Sequence, residues 1–466
     1  MKLRLTPCPA LALLPLLAFA APAAEKTASL WLTKNDRSAL LSPQAAPLAF
    51  GAAAGAPTIE VNDRQVFQSI DGFGFALTGG SAMLLVRMDA SHRAALLREL
   101  FATGSTNIGI SYLRVSIGAS DLNERVFTYD DLPRGETDPS MERFSLAPDR
   151  ADVIPVLKEI LAINPSIKIL GSPWSAPVWM KTNLAAKGGK LKSECYDAYA
   201  RYFVTYIQGM RAEGIRIDAV TVQNEPLNAG NTPSMQMFPD EQASFIKQHL
   251  GPAFVAAKLD TKIILYDHNC DVPEYPLGIL GDTEAAQFVD GSGFHLYAGA
   301  IDAMSKVHDA FPDKNLYFTE QMVIERGHKP ALDIANPVSR LIIGATRNWS
   351  RNVLLWNLAA DPNNNPHTND GGCGICQGAI TLDGDKVTRN LAYFVVAHAS
   401  AFVRPGSVRV SSNYLETLPN VAFKTPPGMV LIVASRSQAQ QSFNVRFHDQ
   451  SFSATLDAGA VGTFVW

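Results

Sequence analysis

The stretch "AVTVQNEPLN" (219–228) decides how this chain is read. A short β-branched run ends at Glu225, set between Asn224 and Pro226. Further along, "NLYFTEQ" (315–321) repeats the pattern, an apolar run followed by Glu320. An unpaired carboxylate at the mouth of a buried strand has little structural use, because burying a charge without a partner is costly. Proline disfavours helical backbone for the residue before it, so Glu225 is expected to be extended at the strand's rim.

Six further runs share this strand-like character. They are "IDGFGFAL" (70–77), "ISYLRVSIG" (110–118), "IKILGSPW" (167–174), "KIILYDHN" (262–269), "GFHLYAG" (293–299) and "NVLLWNLA" (352–359). All eight are near-continuously apolar rather than alternating, as parallel strands buried on both faces must be. Helical periodicity fills most of the gaps. In "YDAYARYFVTYIQGMRAEG" (196–214), Tyr199, Tyr202, Phe203, Tyr206, Ile207 and Met210 form one apolar stripe, and Gly214 supplies the stop. Segments 150–164, 240–254 and 336–350 read likewise, while the gap between the sixth and seventh runs leaves its helix least defined. Eight β–α units in series predict a (β/α)8 TIM barrel. A doubly wound sheet is the alternative, but no G-x-G-x-x-G turn supports its usual dinucleotide role.

The ends lie outside this count. Residues 405–466 are short strand-like runs ("SVRVSS", "MVLIVASRS", "QSFNVRFHD") separated by turn residues, which predicts a small β-sandwich. The N-terminal runs "ASLWLTKND" and "PTIEVNDRQVFQSI" are expected to add strands to it, so that the side domain is built from both termini. The expected division is a leader over 1–23, side-domain strands over 27–66, the barrel over 67–404 and the sandwich over 405–466.

A chain of 466 residues, 47% hydrophobic and 18% charged, suits one large α/β domain with a small companion. The formal net charge of −4, with no long run of either sign, argues against a nucleic-acid partner or a polybasic membrane surface. Lys2 and Arg4, an apolar stretch, and A-x-A sites at Ala18–Ala20 or Ala21–Ala23 read as a cleavable signal peptide. The mature protein is therefore expected to be secreted or periplasmic, without a stable membrane anchor, and monomeric. In an oxidising compartment Cys373-Gly-Ile-Cys376 is expected to close a small disulfide. With His367 nearby a zinc site is the alternative, weakened by the lack of an evident fourth ligand. No metal or cofactor is otherwise expected.

Active sites of such barrels lie at the C-terminal ends of the strands. Strands four and seven stand on opposite sides, so Glu225 and Glu320 can face each other across the mouth. Two opposed carboxylates are the working pair of glycoside hydrolysis, one protonated by virtue of a raised pKa, the other ionised. Trp174 and Trp356 offer flat faces for sugar rings, Arg114 and Asp121 a donor fork and an acceptor, and His295 and Tyr297 partners for the nucleophile or ring oxygen. Taken singly each has a plainer reading: rim aromatics are often core, Arg114 could serve only to neutralise a buried acid, and His295 could be a satisfied interior histidine.

In order along the chain, "IDGFGFALTGG", "LRVSIGASD", "ILGSPWSAPVWMKTN", "AVTVQNEP", "FTEQ" and "LLWNLAADP" resemble the blocks of glycoside hydrolase family 30, of the lysosomal glucosylceramidase and microbial β-1,6-glucanase type. The resemblance spans nearly the whole mature chain. It implies a retaining β-glycosidase in which Glu225 is the acid/base and Glu320 the nucleophile. Asn224 would bind the sugar 2-hydroxyl, and Arg114, Asp121, Trp174, His295, Tyr297 and Trp356 would line the subsite for the non-reducing sugar. The chain departs from the glucosylceramidase pattern His-Trp-Tyr, having His295-Leu296-Tyr297. Its polar, Gly-rich loop 361–380 resembles the microbial branch. A β-1,6-glucan is thus the favoured substrate, glucosylceramide the second, and a β-xylan or β-fucoside a further alternative. A non-catalytic carbohydrate-binding protein would be expected to lack one carboxylate, and both are present. No G-x-S-x-G or H-E-x-x-H supports a serine or zinc hydrolase.

Overall fold

The computed structural model describes residues 1–3, 26–52, 55–104, 107–325 and 331–466. The leader reading falls mainly on 4–25, outside the described residues. All eight runs are strands of one closed parallel barrel: Gly72–Ala76, Tyr112–Ile117, Lys168–Pro173, Ala219–Thr221, Lys262–Cys270, Val289–Gly299, Asn315–Glu320 and Ser350–Asn357. The eighth closes on the first through pairs such as Val353 with Phe73. Gly74 is required where the first strand meets the second, because a Cβ there would stand 1.8 Å from the Tyr112 carbonyl oxygen.

Side chains alternate along a strand, so residues two apart share a face. Tyr112, Leu170, Ala219, Ile264, Tyr317 and Leu354 form one apolar layer inside the barrel. Two residues further up the same strands stand Arg114, Ser172, Thr221, Thr319 and Trp356, so the next layer is polar and faces the mouth. The outer faces of the strands join the surrounding helices in the main core.

The helix Tyr196–Ala212 buries its aromatic stripe and ends as its sequence requires. Gly214 takes φ +82°, its N–H bonds to the Arg211 carbonyl, and the Ile215 N–H reaches the Met210 carbonyl. The segment read as one helix over 240–254 runs from Pro239 to Ala256 with a π turn over Ile246–Leu250. Pro252 lacks the N–H that a regular α turn would use, and the π turn falls just before it. A similar π turn interrupts 336–350 at Val338–Ile343. A helix over Ala303–Ala310 does link the sixth and seventh strands. Helices Gly79–Arg87, Ala90–Phe101 and Leu391–Ser400, and a three-stranded sheet beside the eighth strand, go beyond the segments that periodicity singled out.

Both termini build the companion β-domain. Thr27–Thr33 pairs with Val461–Val465, and Thr58–Ser69 pairs with both Val408–Ser412 and Gln441–Phe447. This ten-stranded array has its own core around Ile59, Leu431, Val445 and Phe464. It is tied to the barrel through His398, fully buried on the last helix, whose Nδ1 and Nε2 meet Thr463 Oγ1 at 2.9 Å and Thr33 Oγ1 at 2.8 Å. Burial pushes the imidazole down to about 3, so it is neutral in this seat. Replacing it with alanine would remove two hydrogen bonds across the domain junction and leave a cavity, while Thr463 Oγ1 keeps the residue-398 carbonyl and Thr33 Oγ1 the Leu41 N–H. His398→Ala is expected to lower stability by about 2–4 kcal/mol in urea unfolding, with the transition midpoint moving and the barrel chemistry intact at low temperature.

Candidate active site

The polar layer is organised by Arg114, whose side chain has no exposed surface. Its Nε donates to Ser172 Oγ at 3.1 Å, and Nη2 donates to Asn224 Oδ1 and Asp267 Oδ2, both at 2.7 Å. Nη1 forms an ion pair with Glu320. Asp267 is buried as completely. It also accepts from Thr221 Oγ1 at 2.7 Å and Thr319 Oγ1 at 2.6 Å, and its Oδ1 meets His295 Nε2 at 3.0 Å. Burial opposes its ionisation, but the Arg114 charge and these hydrogen bonds override burial and hold the carboxyl well below the usual range.

Strict alternation would point Tyr266, not Asp267, into the barrel. Tyr266 and Asp267 both take positive φ, 72° and 61°, and the pairing with strand six slips a residue there. The bulge turns the carboxylate inward. A second slip, between Phe294 and His295, leaves Thr319 and Glu320 both at the mouth.

Glu225 is not extended. Its φ is +46°, against the expectation from the following proline. Three neighbours over-determine the turn: Glu225 N–H donates to the Asp267 carbonyl at 2.9 Å, Asn228 N–H to the Glu225 carbonyl at 2.8 Å, and Asn224 N–H to the Pro173 carbonyl at 2.8 Å. The carboxylate accepts from Asn228 Nδ2 at 2.7 Å and lies 3.3 Å from His295 Nδ1. Glu320 accepts from the Tyr297 hydroxyl at 2.9 Å, which in turn accepts from the Met322 N–H at 2.9 Å. One oxygen of Glu225, one of Glu320 and a nitrogen of His295 all lie within 4.8 Å of one another.

A cavity of about 270 Å³ opens above this pair. Of the sequence candidates, Asp121, Trp174, Asn224, Glu225, Tyr297, Glu320 and Trp356 line it. Trp174 and Trp356 stack at 5.3 Å, with the Arg114 guanidinium 4.7 Å from the Trp174 ring. Arg114 and His295 do not line it. They are fully buried among the acids, so the fork read as a donor to sugar hydroxyls is occupied by protein. Cys373 and Cys376 are bonded to each other and form part of the wall, leaving no thiolate pair there for zinc. Asp267, Asn228, Asn231, Asn269 and Met322 went unread. Asp267 carried a signal: it ends the apolar run "KIILYD" as Glu225 and Glu320 end theirs.

The charges are coupled. Burial raises Glu320 above the usual range, with Glu225 and Asp267 adding to it against His295 and Arg114. Its Arg114 and Tyr297 donors nonetheless serve the ionised form. Burial lowers His295, but the surrounding carboxylates, Glu320 foremost, raise it to about 9. That imidazolium overrides burial at Glu225 and holds it at about 2. Glu225 is thus shifted downward by its imidazole neighbour and Glu320 upward by its burial, so the two carboxyls sit in opposed electrostatic environments. Asp121 is pushed up to about 8, by burial first and then by Glu320 and Glu225.

A (β/α)8 barrel with two glutamates facing across a cavity lined by stacked tryptophans defines a glycoside hydrolase. The chain belongs to glycosyl hydrolase family 30: its TIM-barrel domain matches residues 70–403 and its β-sandwich domain residues 406–464. It is 34% identical over 391 residues to endo-1,6-beta-D-glucanase neg1 of Aspergillus fumigatus, covering 78% of each chain. It is 28% identical over 431 residues to lysosomal acid glucosylceramidase of Mus musculus, covering 86% of this chain and 81% of that one. Among solved structures, the endo-beta1,6-glucanase BT3312 superposes with a TM-score of 0.88 at 33% identity, covering 94% of this chain and 99% of the other.

The Asp121 shift carries a stability consequence. In the unfolded chain this carboxyl ionises near 3.8, while in the fold it keeps its proton to about 8. The folded state is therefore penalised progressively as pH rises from about 4 to 8. Asp121→Asn is expected to raise stability at pH 7 by on the order of 1–3 kcal/mol, with the gain vanishing below pH 4. Thermal unfolding of both proteins across that range checks it.

Proposed function

We propose that this glycoside hydrolase cleaves β-1,6-linked glucan with retention of configuration, with Glu320 as nucleophile and Glu225 as acid/base. The carrying observation is the approach of Glu225 and Glu320, whose nearest oxygens lie within 4.8 Å. Retaining enzymes hold their carboxyl groups about 5–5.5 Å apart, inverting ones about 6.5–9.5 Å to admit a water. Glu320 attacks the anomeric carbon while the glycosidic oxygen leaves with a proton from Glu225, forming a glycosyl ester. Water then attacks the same carbon and gives its proton to Glu225, releasing Glu320. The hydrogen bond between His295 and Glu225 holds one proton for the pair, which Glu225 draws as charge develops on the departing oxygen. Asn224, with its carbonyl oxygen held by Arg114, keeps an amide N–H₂ for a sugar hydroxyl, and Asp121 supplies another polar contact.

The substrate reading is supported by the greater identity to the A. fumigatus endo-1,6-glucanase than to the mouse glucosylceramidase. It is supported also by the amide-rich rim of Asn224, Asn228, Asn231 and Asn269, which suits hydroxyls. Glucosylceramide is the second reading, favoured by Ile375, which stands exposed between the two wall cysteines. Reducing-end release from linear β-1,6-glucan, run beside glucosylceramide in detergent, separates them. A ladder of oligosaccharides supports the first reading, and hydrolysis of the lipid alone would replace it with the second.

Glu320→Ala is expected to abolish turnover, a loss of at least about 10⁴-fold, while glucan still binds. Glu225→Gln should slow glucan far more than an activated aryl glucoside, whose leaving group needs no proton. Equal losses on both would remove Glu225 from the acid role. We further propose export. The N-terminal pattern supports it, and among the described residues no helix is long and apolar enough to cross a membrane. The secreted protein should begin at Ala21 or Ala24 by intact mass.

A further inference from the structure

Cys373 and Cys376 bring a disulfide to the wall of the catalytic cavity, and the two-glutamate mechanism makes no use of it. Firm anchors flank the segment that carries it. Thr368 N–H donates to the Asp121 carbonyl at 2.9 Å, Glu325 N–H to Gln377 Oε1 at 3.1 Å, and Ala379 N–H to the Asn357 carbonyl at 3.0 Å. Between them the ties are weaker. Cys376 N–H to the Cys373 carbonyl and Asn357 Nδ2 to the Cys376 carbonyl each span 3.4 Å, and Asn364 Nδ2 reaches the Gly374 carbonyl at 3.3 Å, all longer than good N–H···O bonds. Gln377 N–H meets the Ile375 carbonyl at 2.9 Å, a bond internal to the segment. Gly374 and Ile375 are exposed, while Cys376 is buried. The covalent bridge is therefore the strong tie that keeps Cys376 in the wall.

The bridge packs toward the nucleophile. Cys376 shares an apolar cluster with Trp174, Trp356, Leu122 and Ala76, and its Sγ lies 3.3 Å from Met322 Sδ. The Met322 N–H donates to the Tyr297 hydroxyl oxygen, which leaves that hydroxyl's own hydrogen for Glu320. A donor to a carboxylate favours its ionised form, the form a nucleophile needs. We propose that the Cys373–Cys376 bridge is a positioning element for Glu320, acting through Met322 and Tyr297. With the bridge open, Met322 loses its backing and the hydrogen bond from Tyr297 to Glu320 slackens. The inference rests on the proposed role of Glu320 as nucleophile and on neither substrate reading.

A dithiol opens the bridge in two exchanges. Its first thiolate attacks one bridge sulfur and releases the other cysteine as a thiolate, which takes up a proton. Its second thiolate then displaces the remaining cysteine, leaving two cysteine thiols and the cyclic disulfide of the reagent. Cys195 and Cys270 are buried and free, so among the described residues this bridge is the one target.

The test reduces the folded protein with dithiothreitol, counts the new thiols, and assays it on whichever of β-1,6-glucan or glucosylceramide the parent cleaves. The Cys373→Ser, Cys376→Ser double variant is run beside it. Reduction acts on a chain already folded, so the result does not depend on how that variant folds. In both, kcat is expected to fall about tenfold, roughly one lost hydrogen bond, with KM changed less. The acid limb of kcat/KM should move upward by about 0.5 pH unit, because a carboxylate that loses a donor is harder to ionise. Met322→Ala should show the same shift and respond no further to dithiothreitol. An acid limb that stays in place, or a raised KM with unchanged kcat, overturns the proposal and leaves the bridge a mere wall. Additive losses from Met322→Ala and reduction overturn the route through Met322. An active Glu320→Ala enzyme overturns the nucleophile reading, and this inference with it.

Discussion

The site depends on one buried cation. A guanidinium without solvent carries a desolvation cost that only close counter-charges and filled hydrogen bonds can offset. Arg114 meets this with Asp267 and Glu320 as ionic partners and Ser172 and Asn224 as acceptors. Five strand ends are thereby drawn to one point. Removing a partner from such a pair typically costs about 3–5 kcal/mol, so the same contact that secures the barrel's upper layer also fixes the Glu320 carboxylate at the mouth.

Around that cation the protein keeps features that oppose stability. Asp121 holds a proton far above its normal range, Glu225 takes an unfavourable backbone angle, and His295 is charged in the interior. These sit together at the mouth, where a sugar would meet them, and the barrel beneath is apolar and close-packed. The companion β-domain adds a second core and docks against the last helix through His398. Strain at the mouth is tolerable because these two cores lie elsewhere.

Cavity geometry then separates roles that residue type alone leaves merged. Arg114 and His295 are polar groups at strand ends, like Asn224 and Tyr297, yet the first two lie wholly inside and the others face the cavity. The buried pair sets charge and orientation. The facing pair is placed to touch a ligand.

The eight strands, the stripe of Tyr199 to Met210 and the two-ended β-domain were legible in the sequence because burial imposes local periodicity, and periodicity survives without coordinates. Glu225 and Glu320 were legible for the same reason, as charges ending apolar runs. The bulge that turns Asp267 inward, the positive φ at Glu225 and the upward shift of His295 were not. Each results from contacts between residues far apart in the chain: a pairing slip between strands five and six, the Asp267 carbonyl that fixes Glu225, the carboxylates that enclose one imidazole. Local sequence determined which groups reach the mouth. Register and mutual electrostatics, which exist only once the barrel closes, decided where those groups point and in which direction each one's pKa is shifted.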